Sequence, residues 1–355
     1  MLSIIAAIYK KIAELRNVLY DKGVFDTYDT RVFTISVGNI TAGGTGKTPL
    51  VAYIANVLAD RGEKVGILTR GYGRVDPGKQ TVVSDWKNIL ESPKNAGDEP
   101  YELAKKLLGR AMVVANADRV SAAKMARRDY GVTTFVLDDA FQHRKVKRDL
   151  DIVCIDAADP FGGYKMLPAG RLREPLRDLS RADVIVITRS DQAKDLDSLE
   201  AEIRELCPKG QVFRARNSTA GIVGLNEFLA DEGSGVTSWD QFESPAGRDL
   251  DGDMKATAFC ALGNPQSFFD QLSADLARSG KGPLLAETKA LRDHHRYKQN
   301  DVDALEKIAR DSNSGLLVTT AKDAVKLNGL KLTMPCYVVE IEVVIDDHEQ
   351  FDALL

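Results

Sequence analysis

Residues 39–48 read NITAGGTGKT, and the residue types and their spacing suit phosphate chemistry. Gly43, Gly44 and Gly46 permit dihedrals and close backbone approach that side chains would block. Successive N–H groups from Thr41, Ala42, Gly43, Gly44, Thr45 and Gly46 can then line an anion cavity, reinforced by the N-terminus of a following helix. Lys47 would reach the outer phosphates of a nucleoside triphosphate, and Thr48 would offer its hydroxyl to Mg2+. The pattern GxxxxGK[ST] fails at one place, because Thr41 stands where its first glycine belongs. A glycine turn that binds no phosphate is the plain alternative, and the apolar run before the loop with the helical run after it weighs against that.

A triphosphate site also needs a carboxylate at the end of an apolar strand to position Mg2+. TTFVLDD ends in Asp138 and Asp139, one to hold the metal and the other to orient a water or a nucleophile. A single aspartate there would read as a helix cap, but an adjacent pair beside a phosphate loop favours the metal. Asp98 and Glu99 in AGDEP precede a helix, where capping is the ordinary role. Gln142 and His143 follow the aspartate pair closely enough to contact the transferring group or the acceptor, with a structural His143 equally open. DHHRY places His294 and His295 beside Asp293, in a chain with 4 histidines. Among arginines in glycine-rich or strand-end loops, Arg171 in LPAGRLREPL is the candidate for the γ-phosphate. Arg70, Arg119 or the RKVKR run could hold a phosphate on the acceptor, although a surface ion pair is the usual fate of a single arginine.

The elements that must position these groups alternate strand and helix from residue 31. VFTISV, KVGILT, AMVVANA, TTFVLDD, DIVCID and DVIVIT are short β-branched runs separated by helical patterns. This predicts an α/β fold with a P-loop NTPase-like parallel sheet sandwiched by helices. A loop-rich acidic stretch after residue 220 leads into a second, smaller α/β unit. The expected organisation is an N-terminal helix over 1–22, a nucleotide domain over 23–220 and a smaller domain over 221–355. Strand-like runs near 211–217 and 335–345 are expected to form a ribbon joining the domains.

The 355 residues are 44% hydrophobic and 28% charged, with a formal net charge of −4, which argues against bulk attraction to nucleic acid. The cysteines at 154, 207, 260 and 336 form no CxxC pair, against a disulfide framework or a zinc site. Residues 1–22 begin apolar, but Lys10 and Lys11 interrupt them too early for a spanning helix. Ile5, Ile8, Tyr9, Ile12, Leu15 and Leu19 fall near one helical face. That face can lie in a membrane interface or pack on its own domain. TRSD at 188–191 resembles the NKxD element of GTPases without its Asn and Lys, leaving a GTPase or metal-delivery NTPase as the alternative class.

Six motifs occur in order: SVGNITAGGTGKTP, LTRGYGR, AGDEP, LDDAFQH, LPAGRLREPL and DHHRY. Together, over nearly the whole chain, they resemble the tetraacyldisaccharide 4′-kinase family, the lipid A 4′-kinases. Thr41 is then a family trait, and Ala140 departs from the family's DDGFQH. The resemblance implies transfer of the γ-phosphoryl group of ATP to the 4′-hydroxyl of a tetraacyl glucosamine disaccharide 1-phosphate, giving a lipid A precursor in Gram-negative bacteria. It implies Mg2+, work at the cytoplasmic face of the inner membrane, and residues 1–22 in contact with lipid. It also implies Asp98 as catalytic base with Glu99 helping to hold Mg2+. His294, or else His295, would be brought to Asp98 by domain closure, and Asn39 is added to the groups near the substrates.

Overall fold

The structure is a computed structural model describing residues 2–230, 236–242, 254–280, 282–293 and 295–355. The chain runs α1 (Leu2–Asp21), β1 (Phe33–Gly38), α2 (Lys47–Asp60), β2 (Val65–Thr69), β3 (Thr81–Asp85), α3 (Pro93–Ala96), α4 (Asp98–Lys106), β4 (Ala111–Ala115), α5 (Arg119–Tyr130), β5 (Thr134–Asp138), β6 (Leu150–Asp156), β7 (Val184–Thr188) and α6 (Leu196–Leu206). It continues through β8 (Gln211–Gly224), α7 (Leu225–Ala230), β9 (Lys255–Cys260), α8 (Pro265–Ser279), β10 (Leu284–Ala290), α9 (Gln299–Asp311), β11 (Leu316–Thr320), α10 (Ala321–Ala324), β12 (Cys336–Ile345) and α11 (His348–Asp352). Two compact units result, Met1–Asn217 with Val343–Leu355, and Ser218–Glu342.

In the larger unit the strand order is β8-β7-β6-β1-β5-β2-β4-β3. The described pairings are parallel except that of β3 with β4. Parallel strands need cover on both faces, and every residue of β2, β4, β5, β6 and β7 is buried. Alternation along the strands divides the core. Ile35, Val37, Val136, Ile152 and Val186 face Leu50, Ile54 and Leu58 of α2. On the other face Val153, Ile155, Ile185 and Ile187 lie under α1 and α6, and Leu68, Met112, Val114 and Phe135 under α5. The smaller unit orders β10-β9-β11-β12, again parallel, with Phe268, Leu272 and Leu276 of α8 on Ala256, Ala258 and Val318. β8 and β12 are neighbours in strand order, and each runs across a boundary between the units.

The C-terminus departs from the expected 221–355 grouping. Val343, Ile345 and Phe351 belong to the core beneath α2. The Phe351 ring is edge-on to Phe213 at 5.2 Å and tilted on Tyr53 at 6.1 Å. The Tyr53 hydroxyl donates to Asp352 Oδ1 at 2.9 Å. An aromatic anchor after the last strand outweighs sequence proximity to the smaller unit.

α1 rests on the larger unit along a seam of small and polar residues: Ala6, Ala13 and Asn17 are its buried positions. Asn17 Nδ2 donates to Glu174 Oε1 at 2.9 Å and Asp178 Oδ2 at 2.8 Å, and Arg16 donates to Glu174 at 2.7 Å. At about 100° per residue, Ile4, Ile8, Ile12 and Leu15 fall on the opposite side, and they are 56–68% exposed. The helix therefore packs on its own domain through its small and polar face and leaves the apolar face exposed. Among the described residues no helix is long and apolar enough to cross a membrane.

Truncating the C-terminal anchor, Phe351→Ala, is expected to destabilise the larger unit by about 3–5 kcal/mol. Urea unfolding followed by tyrosine fluorescence measures this, and a loss under about 1 kcal/mol would remove residues 343–355 from the core.

Candidate active site

β1 and β5 are neighbours with Val37 beside Asp138. The loop after β1 and the aspartate pair ending β5 therefore leave the sheet at one carboxyl edge, where open α/β sheets bind ligands. Gly46 caps α2 in the left-handed region at φ 73°, a conformation glycine adopts without strain. Lys47, the first residue of α2, sets its Nζ 3.5 Å from Asp139 Oδ1.

The start of the loop differs from expectation. Thr41 forms an antiparallel bridge with Leu172, and the Ala42 N–H donates to Arg171 O at 2.7 Å. These two residues are tied to the LPAGRLREPL segment, so Ala42 does not offer its N–H to a phosphate. Thr41 has no positive φ, which is why no glycine is needed there. The part of the loop able to wrap an anion is residues 43–48. It is held from behind at several points. Asn39 is fully buried and donates to Thr45 Oγ1 at 2.9 Å, so it braces the loop and does not face an acceptor. Gln142 Nε2 donates to Asn39 O at 2.8 Å and to Glu174 Oε2 at 3.3 Å. Glu174 is itself fully buried and also accepts from Arg16, Asn17 and Arg181. One carboxylate thus links α1 to the support of the loop.

The aspartate pair is crowded. Asp138 is buried and accepts from Thr69 Oγ1 at 2.9 Å. Burial, then the charges of Asp139 and Glu99, push its carboxyl up to about 6 against the opposing pull of Lys47. Asp139 takes the left-handed backbone at φ 49° and accepts from Arg173 Nη1 with both oxygens, at 3.0 and 2.9 Å. Burial raises its pKa, yet Lys47, Arg173 and Arg119 together hold it below the usual carboxylate range. Buried Arg119 donates to Asp138 O at 3.2 Å. It therefore stands behind the aspartates and not at a surface acceptor. Ala140 is buried, donates its N–H to Val37 O at 3.2 Å and has no positive φ, so alanine fits there without backbone strain.

Asp98 and Glu99 open α4, where the helix dipole favours anions. Their turn is fixed by Gly97 at φ 91°, where an added Cβ would meet Tyr72 O at 2.6 Å. Asp98 is partly exposed, and Glu99 lies close enough to raise Asp138. Arg171 is half-exposed, pairs with Asp159 and borders Gly43. Arg70 lies exposed over the Tyr72 ring at 5.0 Å. Arg74 is structural, donating to Ala115 O and Pro77 O. His295 Nε2 stands 3.2 Å from Asp301 in the first turn of α9. His294 lies outside the described residues.

The family model of tetraacyldisaccharide-1-P 4′-kinase matches residues 1–355. The chain belongs to that kinase family. Relatives carrying the name tetraacyldisaccharide 4′-kinase include one from Halothermothrix orenii, 39% identical over 92% of this chain and 83% of the relative. Another, from Desulfatibacillum aliphaticivorans, is 34% identical over all of this chain and 91% of its own length. Among solved structures, an LpxK from Aquifex aeolicus in complex with ATP is similar, with TM-score 0.72, 30% identity, 99% of this chain and 96% of that chain covered.

Three groups at this kinase's loop escaped the sequence reading. Thr188 Oγ1 donates to Thr45 O at 2.9 Å. Arg189 Nη2 donates to Gly44 O at 3.2 Å, and its Nε donates to Asp156 Oδ1 at 2.8 Å. The TRSD stretch carries the first two, so it supports the phosphate loop. The available signal was its place directly after a strand of the same sheet.

His143 is partly buried, and its Nε2 has no hydrogen-bond partner among the described residues. Burial, then Arg119, Arg148 and Lys145, bring the imidazole down to about 4. The unfolded histidine binds a proton near pH 6.5 while the folded one resists, so this residue costs stability as pH falls from about 6.5 to 4 and has no effect above. An NMR titration is expected to show the His143 ring neutral at pH 5.5. A midpoint near 6.5 would place the ring in solvent.

Proposed function

We propose that this chain transfers the γ-phosphoryl group of ATP to the 4′-hydroxyl of a tetraacyldisaccharide 1-phosphate. The observation that carries the reading is the convergence of Lys47, Asp138, Asp139 and Glu99 at the mouth of a loop able to wrap an anion, in a member of a sugar-lipid kinase family. Gly43, Gly44, Thr45 and Gly46 would surround the outer phosphates, with Lys47 offsetting their charge. Arg171, bordering Gly43, is the guanidinium assigned to the γ-phosphate.

The residues present fit Mg2+. Asp138, pushed up to about 6 first by burial and then by the like charges of Asp139 and Glu99, is a carboxylate whose charged form a divalent cation beside it would favour. Thr48, Asp138 and Asp139 would hold the ion, with Glu99 acting through water. Among the described residues no group of three or more His, Cys, Asp or Glu side chains forms a ready-made metal cluster. When bound, Mg2+ supplies charge neutralisation and alignment of the phosphates.

Asp98, at the head of α4 and partly exposed, would take the proton of the 4′-hydroxyl as its oxygen bonds to the γ-phosphorus and the bond to ADP breaks. His294 is the proposed partner of Asp98. Arg70 is the candidate for the acceptor's own phosphate.

α1 supports a peripheral position on the cytoplasmic face of the inner membrane. Its outward face carries Ile4, Ile5, Ile8, Ile12, Leu15 and Val18, all exposed. Lys10 and Lys11 beside them suit anionic head groups.

Incubation with γ-labelled ATP and the disaccharide 1-phosphate is expected to move label to the lipid. Asp98→Asn should lower turnover about 10²–10⁴-fold with ATP affinity retained, and near-normal turnover would exclude Asp98 as the base. Replacing Ile8 and Ile12 by glutamate is expected to reduce flotation with anionic vesicles by about tenfold or more. Undiminished flotation would take α1 off the membrane.

A further inference from the structure

Thr188 and Arg189, at the end of β7, occupy the stretch where a GTPase would read its base, yet both side chains turn back onto the phosphate loop. Thr188 Oγ1 donates to Thr45 O at 2.9 Å, and a Cβ added at Gly46 would meet the Thr188 Cβ and Cγ2 at 3.3 Å. Arg189 adopts the left-handed backbone at φ 52°. Its guanidinium is gripped by buried Asp156 at the end of β6 and donates to Gly44 O at 3.2 Å. Two consecutive loop carbonyls are therefore pinned on one side.

A trans peptide plane is rigid, with its C=O and the next residue's N–H pointing in opposite directions. Fixing Gly44 O and Thr45 O outward fixes the N–H groups of Thr45 and Gly46 inward, the arrangement a nest of N–H donors needs to bind an anion. Without the pins the loop would have to be ordered when the ligand binds, which lowers affinity.

We propose that Thr188, Arg189 and Asp156 are positioning residues that pre-orient the Thr45 and Gly46 N–H groups, so that this stretch serves recognition of the polyphosphate and not of the base. The proposal rests on the reading of the loop as an ATP site. ATP, GTP and AMP binding are to be measured by calorimetry on the full chain and on Thr188→Val, Thr188→Ser and Arg189→Lys. Thr188→Val keeps the shape and removes the donor, Thr188→Ser keeps the donor, and Arg189→Lys keeps the charge facing Asp156. Thr188→Val and Arg189→Lys are expected to weaken ATP about three- to tenfold, with AMP affinity and the ATP-to-GTP ratio unchanged and Thr188→Ser near the parent. Equal losses for ATP and AMP, or a shifted ATP-to-GTP ratio, would assign the stretch to the base and overturn the proposal. Unchanged ATP binding in both Thr188→Val and Arg189→Lys would also overturn it. Should Thr188→Val not fold, Arg189→Lys against Thr188→Ser decides alone. A parent chain that binds no ATP overturns the nucleotide reading itself.

Discussion

The site depends on crowded negative charge at the carboxyl edge of a buried parallel sheet. Asp138 cannot turn to water, because its strand is covered on both faces. Its neighbours Asp139 and Glu99 add like charge, and Lys47 offsets only part of it. Such a cluster is tolerable when cations share it. Arg173 and Lys47 hold Asp139, and Arg119 stands behind Asp138. The same crowding orders the surroundings. Each cation that compensates the aspartates comes from a different segment, so the segments are drawn to one edge.

The strands were legible because parallel sheets leave uninterrupted apolar runs, and TTFVLDD announces both its burial and its terminal carboxylates. The phosphate loop was legible in composition but not in extent. Thr41 and Ala42 look like part of it, and only the long-range bridge to Leu172 reveals that they belong to its anchorage. Arginines were the least legible. Arg74, Arg119, Arg171 and Arg173 sit in similar loops, yet the structure gives them a backbone-carbonyl role, a place behind the aspartates, an exposed pair with Asp159, and a two-oxygen grip on Asp139. Each depends on a partner distant in sequence, which no local pattern records. The same holds for Asn39, whose amide serves the loop from within.

Glu174 illustrates how a buried ion can serve as a junction. It accepts from α1, from Arg181 and from Gln142, and burial alone would raise its pKa, but these partners keep it low. A helix with an apolar outward face and the support of the phosphate loop thus share one carboxylate. Removing it would leave several buried donors without an acceptor at once.

The return of residues 343–355 to the larger unit bears on biogenesis. A ribosome releases the chain from its N-terminal end, so the surface around Tyr53 and Phe213 stays uncovered until Phe351 has emerged and can reach it. The larger unit is therefore unable to complete itself before residues 343–355 have been made. A stop codon at residue 343 would strip away the part that closes its core.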